Sequence, residues 1–419
     1  MRQMCPASFR ERPDMTFSIT RLGHHGDGIA SGPEGPVFAA RTLPGEVVEG
    51  EVTGDRIIAP KIVTPSTDRV AAPCPHYRRC GGCSLQHASD GFVAGWKAGL
   101  VRDTLARVGI DARITGVKTS PSNSRRRAAL SGRRTKKDAQ VGFHVAGGTD
   151  IVEGPDCRLL HPDLIAALPA LEQITRLAAT RGSEVTLHVT QTATGIDLSV
   201  EQAKPFDRDV MLALAPLAMA FARITWNGET ALQQTPPAVT LGAARVMLPP
   251  GAFLQATAEG EAALVNAVNE SLAGAQSVVD LFAGCGTFTF PIAKMAPVHA
   301  IEGDRALIEA LAHGARHATG LKAVTAQVRD LFRNPLLPEE LSRYDAAVID
   351  PPRAGAEAQV AQLAVSDLTT IAFVSCNPGT FARDAAILVG AGWRMGPVTV
   401  VDQFRWSPHV ELVTRFDRG

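Results

Sequence analysis

The spacing of apolar positions changes character along the chain. From residue 15 to about 65, short β-rich runs alternate with glycine turns: F-S-I-T-R-L, G-H-H-G-D-G-I-A, P-V-F-A-A and G-E-V-V-E-G-E-V. Short strands punctuated in this way predict a small closed barrel. A helix-like stretch covers 96–108, and the segment up to about 250 mixes helical patches with β-rich ones at 185–190 and 196–200, an α+β pattern. Beyond Gly251 the pattern becomes regular. Residues 277–282, 298–302, 323–329, 344–350 and 371–374 read as strands between helical segments, followed by 398–401 and 410–415 with a short link. Alternating strands and helices predict right-handed βαβ units and a parallel sheet, with the last strand inserted antiparallel. The expected architecture is α/β in three parts: a small β-barrel at 1–67, a central α+β domain at 68–250 and a Rossmann-like domain at 251–419.

Composition adds little to this picture, and local charge adds more. A chain of 419 residues exceeds what one core organises. It is 45% hydrophobic and 20% charged, as soluble globular proteins are. No apolar stretch is long enough to span a bilayer, and the start, M-R-Q-M-C-P-A-S-F-R, lacks the apolar core of a signal peptide, so a cytoplasmic location is expected. Lys+Arg and Asp+Glu are both 42, so net charge points to no polyanionic partner. Yet Arg125, Arg126, Arg127, Arg133, Arg134, Lys136 and Lys137 form a run without an acid. Such a run is either a solvated face or a contact for nucleic acid phosphates. Of the seven cysteines, Cys74, Cys80 and Cys83 crowd together, Cys157 stands apart, and Cys5, Cys285 and Cys376 complete the set. An odd count in a cytoplasmic chain favours metal binding or catalysis over a disulfide framework. On spacing alone the first four suit zinc or an iron–sulfur cluster equally.

Candidate chemistry gathers in the last third. D-L-F-A-G-C-G-T, starting at Asp280, places a G-x-G turn after a strand, where glycines admit a ligand close to the backbone. The next strand ends in Glu302, placed to accept hydrogen bonds from ribose hydroxyls. The third glycine of a pyrophosphate-binding turn is missing, so a nucleoside without phosphates is the better ligand, and S-adenosylmethionine fits. Asp330, after the third strand, is either an adenine contact or a solvated loop acid. Asp350-Pro351-Pro352-Arg353 follows the fourth strand, its prolines stiffening the exit. Methylases of exocyclic amines carry an aromatic residue where Arg353 stands, which directs attention to another target atom. Cys376 sits at a strand exit, where ligands of open α/β sheets bind; a small buried residue is the plain alternative.

Together, D-L-F-A-G-C-G-T-F, D-P-P-R-A-G, V-S-C-N-P-G-T-F-A-R-D and S-P-H-V-E-L-V resemble the RNA 5-methyluridine methyltransferases, in that family's order. The resemblance implies a nucleophile, Cys376, that adds to carbon 6 of uracil, and a general base, Glu411. It implies a cofactor pocket for S-adenosylmethionine lined by Gln255, Phe282, Thr287, Glu302, Asp330 and Asp350. C-x5-C-x2-C with the distant Cys157 is similar to the iron–sulfur site of the branch acting on 23S ribosomal RNA, so Cys74, Cys80, Cys83 and Cys157 are expected to hold a [4Fe–4S] cluster, and the barrel to be an OB-like TRAM domain that binds RNA. No obligatory protein partner is expected. A transfer-RNA substrate, an amino-group methylase and a non-catalytic RNA-binding assembly factor are the alternatives. Two positions depart from the family pattern: Thr257 replaces an asparagine common after F-x-Q, and Trp406 replaces a histidine.

Overall fold

The computed structural model describes residues 15–154 and 156–418; Cys5 and positions 1–14 of the expected barrel domain lie outside them. The chain forms two compact units. In the unit of Met1–Ala72, Cys83–Val93 and Trp406–Pro408, five strands close into a barrel: β1 (Met15–Leu22), β2 (Gly28–Gly32), β3 (Gly35–Ala39), β4 (Val47–Thr53) and β5 (Arg56–Thr64), in the order β1-β2-β3-β5-β4. Alternate residues Phe17, Ile19, Val37, Ala39, Val48 and Ile57 fill its interior, the period-two pattern of a sheet with one wet face. Glu46 is fully buried and accepts from Leu43 N (2.8 Å), Ser66 N (3.2 Å) and the Arg69 guanidinium (2.5 Å). Burial alone would raise its carboxyl; these donors outweigh it and hold the group below its usual range. Gly28 permits the closure, because a Cβ there would lie 2.0 Å from Thr42 Oγ1.

The second unit contains two large sheets. Strand β6 (Ile114–Thr119) precedes a seven-stranded sheet made of β7 (Arg127–Arg134), β8 (Ala139–His144), β9 (Ile151–Glu153), β10 (Glu184–Thr192), β11 (Gly195–Glu201), β12 (Arg223–Trp226) and β13 (Glu229–Gln233). The helix Leu168–Ala178 covers it, burying Leu171 and Ile174 against Val185, Leu187 and Leu198. A hairpin, β14 (Ala238–Leu241) and β15 (Ala244–Met247), leads into the last third. There β16 (Val278–Leu281), β17 (Val298–Glu302), β18 (Val324–Val328), β19 (Ala346–Ile349), β20 (Thr370–Ser375), β21 (Arg394–Asp402) and β22 (Glu411–Asp417) build the second sheet, in the order β18-β17-β16-β19-β20-β22-β21-β6.

Strands β16 to β20 run parallel, and their residues are buried on both faces in β16, β19 and β20, as helices on both sides require. The last strand, β22, inserts antiparallel between β20 and β21, as the sequence suggests. One member is unexpected. Strand β6, from the segment 68–250, pairs parallel with β21 at the sheet edge. Its pattern, I-T-G-V-K-T, is half exposed and carries little apolar signal. Among the described residues, no helix is long and apolar enough to cross a membrane.

A buried ion pair fixes the segment that leads to β22. Lys97 and Asp402 are 0% and 1% exposed, and Lys97 Nζ donates to Asp402 Oδ1 (2.5 Å), His409 O (2.8 Å) and Phe404 O (3.3 Å). Removing one partner of such a pair strands a charge, so Lys97→Met is expected to cost about 3–5 kcal/mol. Urea unfolding at neutral pH measures this, and the double change Lys97→Met with Asp402→Leu should recover part of the loss.

Candidate active site

Strand ends create the site. At the exit of β16, Phe282 takes a left-handed backbone (φ 64°), which is strained for a residue with a side chain, and its ring packs on Phe332 with centroids 5.3 Å apart. Gly286 (φ 102°) must be glycine, since a Cβ would meet the Phe290 ring at 2.5 Å. The Gly284 N–H donates to Glu302 Oε2 (3.1 Å) and the Asp304 N–H to Glu302 Oε1 (2.9 Å), so the carboxylate at the end of β17 is oriented by backbone donors. Asp330 accepts from Phe332 N (3.0 Å) in the next turn.

These ends surround a cavity of about 470 Å³, within the usual size for a small-molecule site. Gln255, Phe282, Thr287, Glu302, Asp330 and Asp350 line it, and so do Cys376 and Glu411. All eight residues expected at the active site and cofactor pocket therefore face one space.

Register explains how Cys376 and Glu411 come together. Antiparallel β20 and β22 pair Val374 with Val413 and Ser375 with Leu412; one residue further, Cys376 stands across from Glu411. Asn377 then caps the helix Pro378–Gly390, accepting from Gly379 N (3.0 Å), with proline in its first turn. The Arg353 carbonyl accepts from Asn377 Nδ2 (3.0 Å) and Thr380 Oγ1 (3.1 Å), which ties the D-P-P-R turn to this helix.

The electrostatics are those of acids kept from water. Burial, with the neighbouring Asp280, pushes Asp350 up to about 7. Burial and the Asp350 charge push Glu411 up to about 8, against a lowering hydrogen bond from Gln403. The Cys376 thiol is pushed up to about 12 by burial and by the Glu411 and Asp350 charges, so it rests protonated. Cys285 is buried, its thiol also raised to about 12 by burial, in keeping with a small space-filling residue.

Gln403 is the residue that sequence reasoning missed. Its Nε2 donates to Gln255 Oε1 (2.6 Å) and Glu411 Oε1 (3.0 Å), while its Oε1 accepts from Ala256 N (2.7 Å). A neutral amide after an apolar strand carries no chemical signal by itself; only the fold brings it between the two.

The basic run divides. Arg126 pairs with Glu261 (2.5 Å) and donates to Gln255 O (3.0 Å), and Arg133 pairs with Glu184 (2.8 Å). These arginines are spent on the protein. The cysteine set divides less cleanly. Burial, then charge on Cys157 and Cys74, holds the Cys80 thiol up, although Gly82 N donates to its sulfur at 3.4 Å. Cys74, Cys80 and Cys157 thus lie within electrostatic reach of one another. Among the described residues, however, no group of three or more His, Cys, Asp or Glu is arranged to hold a metal ion. The donor types suit zinc or an iron–sulfur cluster.

A mainly parallel sheet with an antiparallel insertion and a cavity at its carboxyl edge defines a Rossmann-like α/β domain. Residues 246–416 match the family described as tRNA (Uracil-5-)-methyltransferase. An RNA methyltransferase of Caulobacter vibrioides is 43% identical over 412 residues, covering 96% of this chain and 99% of that protein. The 23S rRNA (uracil(1939)-C(5))-methyltransferase RlmD of Chromohalobacter salexigens is 34% identical, covering 97% and 91%. Among solved structures, the Pyrococcus abyssi tRNA (uracil-54, C5)-methyltransferase in complex with S-adenosyl-L-homocysteine superposes with a TM-score of 0.74 at 22% identity, covering 96% of this chain and 99% of that one, a likeness of fold. The chain belongs to the RNA uracil-5-methyltransferase family.

Because the Gln403 amide favours the ionised form of Glu411, Gln403→Leu should move the Glu411 pKa above its value of about 8. Carboxyl NMR titration of side-chain-labelled glutamates measures this, the Glu411→Gln chain identifying the resonance; an unchanged or lowered value contradicts the reading.

Proposed function

We propose that this chain uses S-adenosylmethionine to methylate carbon 5 of a uridine in 23S ribosomal RNA, with Cys376 as nucleophile and Glu411 as general base. The observation that carries this is the meeting of Cys376 and Glu411, through the β20–β22 register, on a cavity also lined by Glu302 and Asp330.

The bound cofactor supplies an electrophilic methyl on a positively charged sulfonium. Gln255, Phe282, Thr287, Glu302, Asp330 and Asp350 would hold it, Glu302 through the ribose. Carbon 5 of uracil is too weak a nucleophile to take that methyl unaided. As the Cys376 sulfur attacks carbon 6, its proton passes to the neighbouring Asp350, which leaves Glu411 ionised, and the ring π electrons move onto the carbonyl oxygen as an enolate. Those electrons return through carbon 5, which takes the methyl. Glu411 then removes the carbon 5 proton; the released pair re-forms the ring double bond as the sulfur–carbon bond breaks, and the departing Cys376 sulfur recovers its proton from Asp350. A carboxyl raised to about 8 is a stronger base than an ordinary glutamate. The uridine must leave its stack to reach this depth, which costs least in a loop.

The ribosomal target is supported by the 34% identical Chromohalobacter salexigens relative; transfer RNA is the second reading, favoured by the description of the matching family. A ribosomal substrate carries with it a cytoplasmic site of action. The barrel within 1–67 is read as the TRAM-like RNA-binding domain, with the closed five-stranded architecture of small oligonucleotide-binding folds in its support. The segments 68–250 and 251–419 are read as the central and catalytic domains. A [4Fe–4S] cluster on Cys74, Cys80, Cys83 and Cys157 is the reading that the resemblance to the 23S-acting branch supports, since spacing alone suits zinc equally. It has no part in the methyl transfer. Iron and acid-labile sulfide in equal amounts in anaerobically purified protein are expected; zinc in their place overturns the assignment.

Cys376→Ala is expected to lower transfer of labelled methyl to a 23S transcript by more than about 10³-fold, while RNA binding persists. Glu411→Gln should accumulate an RNA–protein adduct that survives denaturing electrophoresis. Full activity of Cys376→Ala ends the mechanism, and methylation of a transfer-RNA transcript in preference to the 23S one ends the target assignment.

A further inference from the structure

A second cavity, of about 310 Å³, adjoins the catalytic one, and Phe253 lines both. The segment between them shows its residues alternately: Gln255 faces the catalytic cavity, while Leu254 and Ala256 face its neighbour. The two spaces thus share the Phe253 ring and lie on opposite sides of the segment 254–256. Arg125, Arg127, His188 and Phe404 supply the chemistry of the second cavity, and no Asp or Glu lines it; His188 Nε2 is 3.4 Å from Glu201 Oε2.

Each arginine stands over a ring. The Arg127 guanidinium lies 4.6 Å from the Phe253 centroid and that of Arg125 lies 5.8 Å from Phe404. Phe253 is 59% exposed, so part of its ring remains open to a ligand. Arg126, between these two in sequence, is committed to Glu261. Arg127 has another fate: it donates to Leu254 O (2.6 Å), and burial together with the Arg125 and Arg126 charges pushes it down to about 10. Crowded cations beside an exposed and a half-buried aromatic ring suit a ligand that is both anionic and planar.

We propose that this cavity binds the nucleotide adjacent to the target uridine, its base stacked against the arginine–phenylalanine wall and its phosphate held by Arg125 and Arg127. The inference rests on the uridine methylation reading and extends it: while one base enters the catalytic cavity, its neighbour is held on the other side of Phe253. Recognition of the neighbour by stacking and phosphate contact keeps the strand in place while the uridine is unstacked.

The test measures RNA binding with the Cys376→Ala chain, which separates it from chemistry. The probes are fluorescein-labelled single-stranded oligoribonucleotides with one uridine among adenosines, intact or with one abasic residue directly 5′ or 3′ of the uridine. One of the two abasic probes is expected to bind roughly ten-fold more weakly than the intact one. Adding Phe404→Leu or Arg125→Gln should weaken the intact probe to a similar degree and remove the difference between intact and abasic probes, with melting temperatures unchanged. Equal binding of all three probes by the Cys376→Ala chain overturns the proposal. So does a variant that loses affinity equally for intact and abasic RNA. Parallel methyl-transfer assays on the otherwise unsubstituted chain keep the two readings apart: neighbour-dependent binding without methylated uridine removes the function and leaves the subsite, whereas methylation with equal binding does the reverse.

Discussion

Strand register at the carboxyl edge of the second sheet is the constraint on which the site depends. Parallel pairing sets Leu281 beside Ile349 and Ile349 beside Phe373, so β16 and β19 end at one level and β20 runs two residues further, to Ser375. The antiparallel insertion of β22 then brings a strand start to the same edge, with Ser375 opposite Leu412. Residues across an antiparallel pair share a face, and a slip of one residue would send Glu411 to the other. The register is secured by burial: every residue of β20 and the first four of β22 are buried, so a slip would exchange the contents of two packed cores.

That geometry carries an electrostatic cost. Asp280 and Asp350 are each raised to about 7 and Glu411 to about 8, all chiefly by burial. In the folded chain these groups keep protons that the unfolded chain gives up at ordinary carboxylate pH. Their contribution therefore favours folding least at high pH: stability erodes as pH rises from the usual carboxylate range through about 7–8. Local donors soften this, Thr289 Oγ1 to Asp280 Oδ2 at 2.5 Å and Gln403 to Glu411 at 3.0 Å. A protein selected for stability alone would place apolar residues here. Three acids held near neutrality instead suit proton transfer.

Much of this was legible because buried parallel strands are continuous apolar runs. The runs at 344–350 and 371–374 became β19 and β20, and the acid or thiol ending each became a cavity residue. The G-x-G turn was legible for a similar reason, since few sequences other than glycine permit its backbone. What escaped notice had no such signature. Edge strand β6 is half wet, so its alternation is blurred. The helix expected at 96–108 is observed at Asp90–Ala106, its start set by Ser89, whose Oγ accepts from Phe92 N (3.2 Å), and by Asp90 in the first turn, signals that lie before the apolar stretch. The division of the basic run, with Arg126 paired inward and Arg125 and Arg127 facing a cavity, depends on contacts with Glu261 and Phe253, more than a hundred residues away.

The departure at Thr257 can be understood in the same terms. Its hydroxyl caps the helix Ala258–Ser271, accepting from Gly260 N (2.9 Å), and meets Ser120 Oγ at 2.7 Å. Threonine and asparagine both serve as N-caps, so the exchange preserves the helix start. The first turn of this helix also bears on the site. Gly260 lets it lie against Gln403, where an added Cβ would come within 2.6 Å of the Gln403 Cβ. With its carbonyl held by Ala256 N, Gln403 has its amide directed at Gln255 and Glu411. A capped helix thereby fixes the orientation of an amide, and the amide joins the wall of the cavity at Gln255 to the acid opposite Cys376. Any shift of the Gln255 segment is transmitted to Glu411 through one side chain, which makes the position of that acid a property of the whole cavity rather than of β22 alone.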